Sequence, residues 1–288
     1  SKMTFRLIKA HRTKDCSVVV YGRDGFGDKA CFIDETFRPY FYCLEDEACD
    51  DDSITGGEWG FQSIYGERLR KIYVNNHSSV PKLREKFTST WEADIVYARR
   101  WLIDKMITYG FTENFVPCGA PDVQIHKAYL DIEAYSKESM PNPKSDQVTC
   151  FTLYDSQNKA YISGILDDIS AMTQDGDWVV GHFTTEKALL KYLDQILYFM
   201  NTDVLLGWNI GWDVDYLKAR CLVHQIRLPL ESICLFDLLE AYRRLYRQKS
   251  YRLKDIALAE KLTDILEEKV NYGLLWEKDK PGLLTRNK

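Results

Sequence analysis

The chain has 288 residues, 45% of them hydrophobic, enough for one large core or two ordinary ones, and two domains are expected. The apolar stretch at residues 188–200 is broken by Lys191, Asp194 and Gln195, which excludes a membrane helix of roughly 20 apolar residues; no basic–apolar–small leader pattern is present, so a soluble cytoplasmic protein without membrane partners is expected. A net charge of −5 argues against nonspecific coating of nucleic acid, but not against an enzyme whose positive charge is local.

Residues 3–45 alternate short β-type runs with turn signals: "CSVVVYG", Gly22 to Gly27, "KACFID" and "RPYFYCLED". The acidic run Glu45 to Asp52 lacks the glycine and ligand spacing of a calcium loop and reads as a solvated surface loop. "RKIYV" is a further strand. Pro81 near a helix start predicts a helix over 80–87, and "YARRWLIDKMI" a second over 97–107. "FVPCGAPDV", with two prolines and a glycine, is the best linker signal, so the domains are set at 1–120 and 121–288. The eight cysteines form no CxxC pair and have no histidine at zinc spacing; reduced, packed thiols are expected.

Beyond the linker, "KAYLDIEAYS", "QVTCFTLYDS" and "KAYISGIL" are three β-type runs, the first two separated by a polar loop at 137–147, and they predict an antiparallel meander. A helix with Leu189, Leu190, Leu193, Ile196, Leu197 and Met200 on one face leads into the β run "DVLLGWN", then a second helix carrying Val214, Leu217 and Cys221. The order is that of an α/β fold.

In "AYLDIEAYS", side-chain alternation along a strand projects Asp131 and Glu133 to one face and Leu130 and Ile132 to the other. Two carboxylates so close resist full ionisation, so a basic side chain or a divalent cation should sit between them. An edge strand with an acidic outer face is the alternative. Asp213 falls at a strand-to-helix junction, where it is either a helix N-cap or a further ligand beside the paired acids. The stretch from Ala241 to Lys254 carries Arg243, Arg244, Arg247, Lys249, Arg252 and Lys254 interleaved with Tyr242, Tyr246 and Tyr251 and has no acid; it suits a path for single-stranded nucleic acid, or is a solvated helix face.

"LDIEAYS" resembles the first exonuclease motif of family B DNA polymerases, with Asp131 and Glu133 as its metal ligands, and "GWNIGWDVDYLKAR" resembles the second, with Asn209 as its turn asparagine, Trp212 in the aromatic place and Asp213 the third ligand. The family usually has three residues between that asparagine and the aromatic; here there are two, Ile210 and Gly211. "RPYFYCLED", "RKIYVNNHSSVPKLREKF" and "WEADIVYARRWLIDK" are similar to the amino-terminal domain of archaeal-type members. The resemblance implies an α+β amino-terminal domain followed by a ribonuclease-H-like exonuclease domain with a mixed sheet flanked by helices. It implies 3′-to-5′ proofreading of single-stranded or frayed primer–template DNA, with the rest of the polymerase chain, and through it a sliding clamp, as partners. The expected setting is a nucleoid or a viral replication site.

Phosphodiester hydrolysis needs a hydroxide at neutral pH and stabilisation of charge on the leaving oxygen; two Mg²⁺ (or Mn²⁺) ions roughly 3.5–4 Å apart supply both. Asp131 is assigned to bridge them, with Glu133 and Asp213 completing their shells. Asn209, Trp212 and the basic–aromatic stretch including Tyr251 are the expected DNA contacts. In the third motif, Y-x-x-x-D, Tyr251 and Asp255 fit the spacing, yet their context resembles the helix that precedes the motif, and "LLTRNK" resembles the approach to it, with Arg286 in the tyrosine's place. The domain is therefore expected to be truncated at its C-terminal end and weakly active or inactive. Palm signatures of the polymerase are not found in these residues, so polymerisation is not expected of them. By position, Pro39, Tyr40, Tyr97 and Arg100 resemble the lining of the pocket with which archaeal members sense template uracil, with core packing as the competing reading. The rival functions are a stand-alone DNA or RNA 3′-to-5′ exonuclease and a non-catalytic DNA-binding module on a degenerate exonuclease fold.

Overall fold

Short runs of β-branched and aromatic residues, each closed by a Gly or Asp turn, give the first half of the chain its strands. The computed structural model describes residues 3–136, 140–263 and 272–288. It divides into two units, residues 1–124 and 125–288. In the first, β1 (Thr4–Arg12), β2 (Val18–Asp24), β3 (Lys29–Asp34), β4 (Tyr40–Leu44), β5 (Ile54–Gln62), β6 (Arg68–Val74), α1 (Val80–Leu83), β7 (Thr90–Trp91), α2 (Tyr97–Asp104) and β8 (Gly110–Thr112) follow in order. They make two four-stranded sheets, β3–β2–β1–β8 and β5–β6–β4–β7. Phe5, Val18, Val20, Trp101 and Phe111 form the core of one, and Phe41, Ile72, Val74 and Leu83 that of the other.

Two helices differ from expectation. The predicted helix over 80–87 is one α turn followed by a 3-10 turn at Arg84–Lys86. The helix from Tyr97 ends at Asp104 rather than 107, because Met106 adopts a left-handed backbone with φ 56°. Strand β5 carries Gly56, Gly57 and Gly60, which erase the β signal; it lies at a sheet edge and pairs with β6 through two register shifts.

The second unit contains β9 (Lys127–Ala134), β10 (Val148–Asp155), β11 (Ala160–Leu166), β12 (Ala171–Asp175), β13 (Trp178–Phe183), α3 (Glu186–Phe199), β14 (Val204–Gly207), α4 (Ile210–Val223), β15 (Cys234–Asp237), α5 (Leu238–Leu245), α6 (Leu253–Ala259), α7 (Tyr272–Lys278) and α8 (Lys280–Asn287). The seven strands form one mixed sheet in the order β12–β13–β11–β10–β9–β14–β15. The expected meander is β9–β10–β11, antiparallel throughout, while β14 joins β9 and β15 joins β14 in parallel. The fold is the α/β class expected, and the β11–β10–β9–β14–β15 order is ribonuclease-H-like. Within the loop predicted at 137–147, residues 137–139 lie outside the described residues. The β12–β13 hairpin was not predicted, although its two-residue Gly176–Asp177 turn carries a hairpin signature.

One face of this sheet packs Leu130, Ile132, Phe151 and Leu153 against Leu189, Leu190 and Leu193 of α3 and Val214 and Leu217 of α4. On the other, Cys150, Ile165 and Val180 pack against Leu283 and Leu284 of α8. Helices α3 and α4 are tied by a buried ion pair in which Arg220 Nη2 lies 2.5 Å from Glu186 Oε2 and Nε lies 2.9 Å from Oε1. Glu186 also meets His224 Nε2 at 2.7 Å and accepts from the Val148 N–H at 2.9 Å. Burial alone would raise its carboxyl; Arg220, His224 and Val148 outweigh it and hold it below its ordinary range. Arg220→Ala strands this carboxylate in the core, and should lower the unfolding free energy by about 3–5 kcal/mol, read as a shifted urea midpoint at unchanged slope.

Candidate active site

Alternation in β9 buries Ala128, Leu130 and Ile132 and leaves Lys127, Tyr129 and Asp131 exposed, with Glu133 half-buried. Asp131 and Glu133 therefore share the face opposite α3 and α4. Their cross-strand partners, Thr152 and Cys150, present small side chains beside them.

Asp213 joins them through a gap in the sheet. β14 pairs with β9 only as far as Leu206–Tyr129, after which β9 continues with β10 alone. The first turn of α4 fills the space: a Cβ on Gly207 would sit 2.8 Å from Ile210 Cδ1 and 2.9 Å from the Leu130 carbonyl, so glycine is required for this approach. Asn209 turns the chain in a left-handed conformation, φ 65°, which asparagine tolerates better than most residues. Asp213 is consequently not an N-cap; it lies inside the first turn of α4, 5% exposed, in contact with the backbone N–H of Ile132.

The three carboxylates act on one another. Burial, then Asp131 and Asp213, push Glu133 up to about 8; burial, then Asp131, push Asp213 up to about 7. Asp131 is raised least, to about 6: burial pushes it up and the hydrogen bond from Asn287 draws it back. Among the described residues, no lysine or arginine figures with the groups that shift them most. An all-oxygen donor set of this kind fits Mg²⁺ or Mn²⁺. Among the described residues, however, no three such side chains converge closely enough to hold an ion as they stand.

One neighbour was missed by sequence reading. Asn287, the last residue of α8 and 6% exposed, donates from Nδ2 to Asp131 Oδ2 at 2.6 Å. Asp237 was missed as well: at the end of β15 it caps α5 by accepting from the N–H of Leu239 at 2.9 Å, accepts from the Asn209 N–H at 3.1 Å, and adds its charge to the field on Asp213. An Asp just before the apolar helix "LLEAYRRL" was a legible N-cap signal.

The remaining predicted residues fall in three places. Trp212 is half-buried, packs on the core and meets the Tyr216 ring at 5.2 Å. Arg243, Arg244, Arg247, Lys249 and Arg252 are all exposed; Arg243 lies over the Tyr251 ring at 5.0 Å, and Trp208 Nε1 donates to the Tyr251 carbonyl at 3.0 Å, joining this stretch to the turn before α4. Asp255 accepts from Ser250 Oγ at the start of α6. In the first unit Pro39, Tyr40, Tyr97 and Arg100 are all buried. Tyr97 Oη donates to the carbonyls of Phe37 (2.7 Å) and Cys16 (3.0 Å), and Arg100 Nη1 donates to Tyr40 Oη at 3.0 Å.

No family model matches the chain. The DNA polymerase of Methanocaldococcus jannaschii is 29% identical over 169 residues, covering 56% of this chain and 10% of that protein. DNA polymerase 1 of Pyrococcus abyssi is 25% identical over 220 residues (68% and 26%), and DNA polymerase 3 of Saccharolobus solfataricus 22% over 248 residues (69% and 32%). The family B DNA polymerase structure from Pyrobaculum calidifontis superposes with a TM-score of 0.72 at 20% identity, covering 99% of this chain and 44% of that one. The chain resembles archaeal family B DNA polymerases in sequence and shares their fold. It spans about a tenth to a third of the length of these curated relatives.

All three carboxyls are raised above their unfolded values, so folding favours the protonated forms, and the stability they allow is greatest below the ordinary carboxylate range. In EDTA, thermal stability should fall as pH rises from about 4 to about 8. The Glu133→Gln, Asp213→Asn double variant should flatten that dependence in melts recorded across the range.

Proposed function

We propose that the chain is the amino-terminal and proofreading portion of a family B DNA polymerase, and that its second unit hydrolyses the 3′-terminal phosphodiester of single-stranded DNA with two divalent cations. The observation that carries this reading is the trio Asp131, Glu133 and Asp213, three carboxylates in one field where, among the described residues, no lysine or arginine figures with the groups that shift them most. The sequence likeness to archaeal DNA polymerases supports it.

Asp131 and Glu133 project from a strand and Asp213 from the first turn of a helix, so the donors are mounted on elements held by the core and lose little freedom on binding an ion. Asp131, Glu133 and Asp213 would hold the cations. When bound, such ions lower the pKa of water and stabilise charge on attacking and leaving oxygens. Asn209 and Asp237 fix the turn that aims Asp213. The exposed arginines and Lys249 around α5, with Tyr246 and Tyr251, offer phosphate contacts and ring faces to an unpaired strand, and Trp208 connects that path to the acids. A duplex end must fray before its terminal bond reaches the site, which favours mispaired ends.

A second reading, a DNA-binding module without catalysis, is favoured by one observation: among the described residues the acids do not converge to ion-binding distance. Activity separates the two. Mg²⁺-dependent shortening of a 5′-labelled single strand should occur once the chain is extended by about a few dozen residues to supply the third motif, and Asp131→Ala in that extended chain should slow it by at least about 100-fold, the loss of several kcal/mol of transition-state stabilisation. Equal rates in the two proteins, zero included, would defeat the nuclease assignment. For the DNA path, the Arg244→Ala, Arg247→Ala variant should weaken single-strand binding in EDTA and reduce the slope of log affinity against log salt by about 0.7 for each phosphate contact removed; an unchanged slope would remove α5 and its flank from the interface.

A further inference from the structure

The arrangement around Asn287 goes beyond a packing contact. Helix α8 is fixed along its length: Asp279 caps it by accepting from the Gly282 N–H at 3.0 Å, Lys280 Nζ lies 2.9 Å from Asp167 Oδ1, Leu283 and Leu284 are buried, and Lys288 Nζ lies over the Trp178 ring at 4.8 Å. Its last turn is thus pressed onto the acidic face of the sheet, on β9 and β10, and Asn287 is the polar side chain it buries there.

An amide can present either its oxygen or its nitrogen to a neighbour, and here the surroundings choose. The Cys150 thiol donates to Asn287 Oδ1 at 3.4 Å. Cys150 is fully buried, on the strand position opposite Glu133. With the oxygen engaged, Nδ2 faces Asp131 Oδ2 and also bears on Glu133. One Asp131 oxygen is thereby held by a side chain of α8.

We propose that Asn287 is a positioning residue of the carboxylate site, whose amide, locked by the Cys150 thiol, orients Asp131 for a divalent cation and thereby sets the affinity of the site for that ion. This inference rests on the nuclease reading above. Residues that orient metal ligands in this way typically contribute 10- to 100-fold in metal affinity.

The test uses Mn²⁺ binding, followed by electron paramagnetic resonance of the free ion, together with melting of the same proteins in EDTA. Asn287→Leu keeps the volume and removes the amide; it should weaken Mn²⁺ binding by about tenfold or more while single-strand DNA binding in EDTA is unchanged. A purely structural Asn287 would lower the EDTA melting temperature and leave the Mn²⁺ affinity where it was. Should the leucine variant fail to fold, Asn287→Ala carries the same comparison. If wild type binds Mn²⁺ and the variants bind it as well, this inference fails and the nuclease reading stands. If wild type binds no Mn²⁺ at millimolar concentration while Asp131→Ala is equally silent, both fail together.

Discussion

Mutual repulsion among carboxylates is the constraint on which the second unit turns. Asp131, Glu133 and Asp213 each raise, or are raised by, another of the three, and among the described residues no basic side chain figures with the groups that shift them most. A fold tolerates such a cluster only where the rest of the structure fixes it in place. The surrounding elements accordingly look built to hold the cluster from two sides, with α4 inserting Asp213 into the gap where β14 leaves β9, and α8 pressing Asn287 onto Asp131.

Each support has its own chemistry. On the α4 side the device is steric and conformational: glycine at 207 admits the helix against β9, and asparagine at 209 makes the left-handed turn. The Glu186–Arg220 pair then binds α4 to α3 beneath the sheet. Toward α8 the device is polar, an amide held between a thiol and a carboxylate. The basic–aromatic stretch after β15 is coupled to the same turn through Trp208, so that stretch and the acids share one structural root.

The likeness to archaeal DNA polymerases and the local chemistry point the same way by different routes. Sequence identity of 22–29% covers 56–69% of the chain in the three relatives described, and the fold matches over 99% of it. The acid trio owes nothing to that comparison; it follows from strand alternation and one helix start.

The sequence by itself determined the period-two pattern of β9 and hence the shared face of Asp131 and Glu133, the antiparallel meander, and the helix over 186–199, because each is a local periodicity against which burial selects. It left β5 hidden, since glycines at a sheet edge carry no side-chain pattern, and it made the α-helix around Pro81 too long. Only tertiary structure decided that Asp213 sits inside α4 rather than capping it, that Asp237 ties two turns together, and that Asn287, 156 residues from Asp131 in sequence, reaches its carboxylate. These contacts join segments remote along the chain, and no periodicity encodes a partner that only the closing of the sheet brings near.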